Sequence, residues 1–140
     1  MNWNRIWTGA LLAGLAIFGL DFVINHLVLG RFWHTLHLQG QLMDLRPYTI
    51  PLLFLQDLGI GFVLTWLYAL ARPRLGPGPK TALLMGTLAW FLMTVPACIN
   101  QWLWVPNIPA HVTATLFLGG LIQCWAGIYL AGWQYIEKAP

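Results

Sequence analysis

The sequence predicts an all-α integral membrane protein, a four-helix bundle made of a single domain over residues 1–140. Of the 140 residues 59% are hydrophobic and only 8% charged, and the mean hydropathy is +0.67, a composition that cannot clothe a water-soluble surface. The apolar residues gather into four runs, 6–29, 48–71, 80–103 and 110–133. Each exceeds the ~20 residues that a helix rising ~1.5 Å per residue needs to cross ~30 Å of hydrocarbon. None shows the short alternating segments of a barrel strand.

The first run is too long for a signal peptide and lacks a small-x-small cleavage pattern, so it reads as a span. Ala10 and Gly14 give it a small-residue face for helix contact, and Asp21 and Asn25 lie one turn apart near its end. In the following connection, 30–47, His34, His37, Gln41 and Asp44 form one stripe at 100° per residue, and Phe32, Trp33, Leu36 and Met43 form another. A short amphipathic helix in the outer interface fits this pattern. An irregular loop anchored by Trp33 is the competing reading.

The second run carries Asp57, Gly59, Gly61 and Thr65, and gives way to RPRLGPGPKTA, Arg72 to Ala82. Three prolines and two glycines stop the helix there, while Arg72, Arg74 and Lys80 hold the turn at the headgroups. In the third run Pro96 removes a backbone donor, which predicts a kink near Leu92 to Thr94. The fourth offers Gly119, Gly120, Gly127 and Ala131 as contact points. Several of the nine tryptophans sit near helix ends as interfacial anchors, whereas Trp66, Trp90 and Trp125 lie deeper and suit contact with lipid, a neighbouring protein or a bound pigment.

Orientation follows from the basic residues. Arg5, Arg72, Arg74, Lys80 and Lys138 fall on one side, Arg31 and Arg46 on the other, which places both termini in the cytoplasm. The basic side chains are spread over loops and form no patch, so nucleic acid is not an expected partner. Cys98 and Cys124 have no CxxC spacing and read as small buried hydrophobes at different depths. Ala10 to Gly14 is faintly echoed by Ala82 to Gly86, and Ile24 to His26 by Ile99 to Gln101; duplication and chance in apolar sequence both account for this.

The segment Trp66-Leu67-Tyr68-Ala69 followed by Arg72 through Ala82 resembles small four-span bacterial inner-membrane proteins, in which a WLYA-like helix end runs into RPRxGPGPKTA. The likeness extends loosely over the chain, including an acidic residue and an asparagine late in the first helix, here Asp21 and Asn25. It implies a bacterial inner-membrane location and one four-helix unit, and carries over no catalytic residue.

Polar side chains inside the spans hold what chemistry the sequence offers, because an ionised carboxylate in hydrocarbon is costly and turns to the bundle interior, a cavity or a partner. Asp21 and Asp57 are expected at a common depth, with Asn25, Thr94, Cys98, Gln101, His111 and Thr115 also in the outer half. One reading is a polar site formed by Asp21, Asn25, Asp57, Thr94, Gln101 and His111 and reached past His26, His34 and His37; the other is that these groups only lock helix packing. His34, His37 and Asp44 are weak metal-ligand candidates, and opposed histidines for haem would have to be His26 and His111. There is no serine, no GxSxG, and no base adjacent to either cysteine, so covalent catalysis has little support. No cofactor is specified. The expectation is a non-catalytic interaction module in contact with membrane lipid, a homo-oligomer or an accessory subunit of a larger complex. The alternative is a small transporter, channel or ligand-binding protein in which Asp21 and Asp57 take a cation or proton.

Overall fold

The computed structural model describes residues 2–42, 46–104 and 108–135. The order is α1 (Trp3–Phe22), a π-helical turn (Val23–Val28), α2 (Gly30–Leu38), α3 (Thr49–Leu75), α4 (Pro79–Trp104) and α5 (Ala110–Gln134), with no strand among the described residues. Four helices are long and apolar enough to cross a membrane, the first running continuously through the π turn as Trp3–Val28. The fold is therefore all-α, with four spans and one short additional helix.

The outer connection does form a short helix. α2 buries Leu36 and leaves His34 and His37 exposed, the division its two stripes predict. Gly40, at φ 67°, ends it by letting the Gln41 N–H reach back to the Leu36 carbonyl at 3.0 Å. Met43 and Asp44 lie outside the described residues.

One boundary differs clearly from expectation. α3 continues beyond residue 71 through Pro73 to Leu75, because a proline in the last turn forfeits only its own hydrogen bond. Gly76, at φ 82°, then breaks the helix, and the turn is pinned from both flanks: the Gly78 N–H donates to the Tyr68 hydroxyl at 3.1 Å and Thr81 Oγ1 to the Gly76 carbonyl at 2.7 Å. α4 carries Pro96 inside a continuous helix, as the third run placed it.

The spans alternate in direction, so both ends of the described chain and the α3–α4 turn share one end of the bundle, and α2 lies at the other. α1 packs most extensively on α3 and also lines α5, α4 lies along α5, and the α3–α4 seam is the sparsest of these contacts. The closest approach is α1 on α3. A Cβ on Gly61 would stand 2.5 Å from the Ala10 carbonyl oxygen and 2.5 Å from the Gly14 nitrogen, and one on Gly14 would stand 2.8 Å from Leu58 Cα. In hydrocarbon this is how attraction is gained, because apolar side chains have no reason to leave lipid and close backbone contact supplies the dispersion energy. Gly120 and Gly127 instead make room for side chains, the first for Thr94 and the second for Ile17 and Leu64. Gly59, expected to pack, is instead exposed with no atom within 4 Å of the position a Cβ would take.

α4 and α5 are joined by two of the deep tryptophans. Trp90 Nε1 donates to the Phe117 carbonyl and Trp125 Nε1 to Thr87 Oγ1, both at 2.9 Å, so the indole dipoles are spent within the bundle while part of each ring meets the surroundings. At the end carrying the termini, Tyr135 accepts the Asn2 N–H at 3.2 Å, packs edge-on to Tyr68 and lies under the Arg72 guanidinium. Ile6, Ile17, Leu64, Ala82, Ala89 and Ile128 complete the core with these tyrosines.

Gly61→Ala is expected to destabilise the protein by about 1–3 kcal/mol, since the methyl group meets backbone that can move only by parting α1 from α3. Gly59→Ala should change stability by less than about 0.5 kcal/mol. Reversible unfolding of both variants in mixed micelles checks the contrast.

Candidate functional site

Asp21 stands half-buried in the last turn of α1, where three partners converge on it and its neighbour. Asn25 Nδ2 donates to Asp21 Oδ1 at 3.0 Å and to the Asp21 carbonyl at 3.1 Å. Gln123 Nε2, from α5, donates to the same Oδ1 at 3.2 Å. Trp33 Nε1, from α2, donates to Asn25 Oδ1 at 3.1 Å. The result is a hydrogen-bonded chain, Trp33 to Asn25 to Asp21 with Gln123 as a branch, tying three helices together at membrane depth.

The π turn makes this geometry. Over Val23–Val28 the backbone ladder shifts by a residue, with the Leu29 N–H bonding to the Ile24 carbonyl at 2.9 Å, and the Asn25 amide takes up the Asp21 carbonyl beside the shift. The extra residue re-aims the chain so that α2 turns Trp33 toward Asn25. A stacked pair, Phe22 on His26 at 4.5 Å, covers the outside of the turn.

Beside this chain lies a cavity of about 500 Å³ bounded by the π turn, α2, α3, α4 and α5. Its polar lining is Asn25, Gln56, Thr94, Gln101 and Gln123 with the Trp33 indole and the Cys98 thiol; its apolar lining includes Ile60, Met93 and Leu116. A second, smaller space of about 60 Å³ continues inward past Ile17 and Cys124, sharing Ile60, Thr94, Gly120 and Gln123. Gln56, Met93 and Ala97 are exposed and stand on α3 and α4, so the cavity opens through the sparse seam between those helices, sideways into the bilayer.

Of the six residues singled out as an intramembrane site, Asn25, Thr94 and Gln101 line this cavity and Asp21 backs it through Asn25 and Gln123. Asp57 faces elsewhere. It is 4% exposed and lies on the α1–α3 crossing, its carbonyl beside Gly14, with Oδ2 accepting no hydrogen bond from any described residue. Gly9 meets Thr65, Gly14 meets Leu58 and Phe18 meets Phe54, so Asp57 sits opposite Gly14. The two acids are thus staggered by about 10 Å of helix rise rather than level. His111 is exposed on α5, its carbonyl accepting from Thr115 Oγ1 at 2.8 Å, and neither residue reaches the cavity. Among the described residues no three histidine, cysteine or acidic side chains converge as metal ligands, and Asp44 is outside them. Cys98 and Cys124 are free, buried thiols.

Gln56, Gln123 and Trp33 are the polar lining residues that the sequence reading did not single out as intramembrane polar groups. Gln123 shares a helical face with Gly120 and Gly127, a small-and-polar periodicity that marks the inward side, whereas Gln56, exposed at the opening, carries no such signal. Chemically, the described lining presents amide donors and acceptors, a threonine hydroxyl, an indole and one thiol, with no charged side chain among the described residues. Its volume falls in the range that holds small molecules, roughly 300–1,000 Å³. It suits binding by hydrogen bonds in a medium of low polarity, where such bonds are not exchanged with water.

In a double-mutant cycle of Asp21→Leu and Gln123→Leu, a coupling on the order of 0.6–1.7 kcal/mol is expected, the range for hydrogen bonds between membrane helices. Unfolding free energies of the single and double variants measure it. Comparison with family models, curated proteins and solved structures finds no match to this chain.

Proposed function

We propose that this small multi-span membrane protein binds a neutral, hydrogen-bonding amphiphile in the cavity between α3 and α4, and that its role is non-catalytic. The observation that carries the reading is the convergence of Asn25, Gln56, Gln101 and Gln123 from four segments on one cavity that opens to lipid. An unsatisfied amide in hydrocarbon costs several kcal/mol, so four of them gathered at one place serve either each other or a guest. Asn25 and Gln123 serve Asp21. Gln56 and Gln101 hydrogen-bond no other described residue, which leaves them for a guest. Asp21 acts on this reading as the organiser of two lining amides. It is not the binding group itself, as it would be in a cation or proton carrier.

The proposed setting is a bacterial inner membrane with both termini in the cytoplasm. Arg5, Arg72, Arg74 and Lys80 at the end of the bundle that carries the termini support that orientation, against Arg31 and Arg46 at the α2 end. The resemblance of the Arg72 to Ala82 turn supports the location.

Protein purified into a mild detergent is expected to retain a neutral lipid enriched at least fivefold over its share of the source membrane, and Ala97→Phe, which plugs the mouth from an exposed position, should abolish the enrichment. Mass spectrometry of extracted lipids reads both. Equal lipid profiles for the two proteins would overturn the pocket reading.

A second reading, self-association, is favoured by Gly19 on α1 and Gly59 on α3. Both are exposed in mid-span with nothing within 4 Å of where a methyl group would stand, the kind of opening a second helix fills. In nanodiscs the protein should then contain more than one copy, and Gly59→Leu should shift it to monomer. A wild-type monomer would end this reading without touching the first.

A further inference from the structure

We infer that the guest in the α3–α4 cavity is a membrane quinone, held as an intact head group by amide hydrogen bonds to its two carbonyl oxygens. This rests on the pocket reading above and narrows it to a chemical class. Charge sets the first limit. Among the described residues no lysine, arginine, aspartate or glutamate lines the cavity, so an anionic phospholipid head would be unpaired by them there, as would a cationic one in direct contact. Donor geometry sets the second. Gln56 stands on α3, deep in the span opposite the Gly14 region of α1, whereas Gln101 stands on α4 three residues from its end. The two free donors are therefore on separate walls and at different heights. A head group with two acceptors pointing in opposite directions satisfies both, and the para carbonyls of a quinone ring do so; the adjacent esters of a neutral glycerolipid point from one end of the molecule.

The remaining lining agrees. Met93, Cys98 and the Trp33 ring offer polarizable contacts that favour an aromatic or quinonoid plane, and Ile60 and Leu116 close the apolar sides. The opening between α3 and α4 faces the bilayer, which is where an isoprenoid tail would remain while the head enters. No electron transfer is part of the inference; the ring is bound and released unchanged.

A photoreactive azidoquinone with a short isoprenoid tail tests this on the full-length protein in nanodiscs of synthetic phosphatidylcholine. Adducts are expected on α3 near Gln56 and Ile60 and on α4 between Met93 and Gln101. They should fall at least fivefold with excess unlabelled quinone, stay unchanged with excess diacylglycerol, and fall at least fivefold in Gln56→Leu/Gln101→Leu. Both substitutions put an apolar group of similar length in hydrocarbon, so folding is retained, which size-exclusion profiles verify. Competition by diacylglycerol equal to that by quinone, or unaltered labelling in the double variant, would overturn the quinone assignment while the lipid enrichment lost in Ala97→Phe still supports a pocket. Absence of that enrichment as well removes the pocket itself.

Discussion

The contact of two backbones at Gly14 and Gly61 governs the geometry of everything else in this bundle. With no water to expel, the helices gain by approaching until main chain meets main chain, and only glycine allows it at these two positions. That contact sets the rotation of α1 about its own axis. Once Gly14 is turned to α3, the buried line Ile6, Ala10, Ala13 and Ile17 follows, and Asp21 comes round toward α5, where Gln123 can reach it. It also consumes the α1-facing side of α3 and so directs Gln56 and Ile60 toward α4 and α5.

The cavity is the complement of that contact. α3 and α4 are held together at the end carrying the termini by a turn whose Gly78 N–H and Thr81 hydroxyl are both tied down, and Tyr68 and Ala82 pack in the shared core there. α4 is meanwhile committed along its length to α5 by Gly86, Trp90, Trp125 and the Thr94–Gly120 contact. α3 is committed to α1. Two helices each bound to a different partner have little left to close the seam between them, and the space of about 500 Å³ opens where the tie at the turn no longer reaches. A void of this size lined only by leucine would be filled by lipid or collapse; the amides on its walls supply the donors and acceptors that apolar walls lack.

The spans were legible in the sequence because hydrocarbon enforces long unbroken apolar runs, and the short outer helix because its stripes separate histidine from leucine. The Asp21–Asn25 pair was legible for the same local reason, being one helical turn apart. Partners chosen across helices were not. Whether Gln123 meets Asp21, whether Gly59 packs or stays exposed, and whether Trp90 spends its N–H on lipid or on Phe117 depend on helix rotations that no single run encodes. The depth of Asp57 relative to Asp21 failed for a related reason. Counting from helix centres assumes that the spans are level, whereas the register of α1 on α3 is fixed by where their glycines coincide.

The π turn explains why so few residues suffice to build a polar site at this depth. In a regular α-helix every carbonyl is engaged by the N–H four residues on, and a hydroxyl such as that of Thr65 or Thr115 can only share the carbonyl one turn back. Shifting the ladder by one residue over Val23–Val28 lets the Asn25 amide bond to the Asp21 carbonyl and carboxylate together, which fixes the amide plane with its oxygen turned outward to Trp33. Asn25 cannot rotate without losing three hydrogen bonds, and Asp21, which accepts from both Asn25 and Gln123, holds the latter in place against the cavity wall. Rigid amides on one side and unpaired ones, Gln56 and Gln101, on the other make a wall that is preorganised and a mouth that is adaptable. Under the proposed binding, few side chains would be ordered that were not ordered already, so more of the hydrogen-bond energy would be retained as affinity.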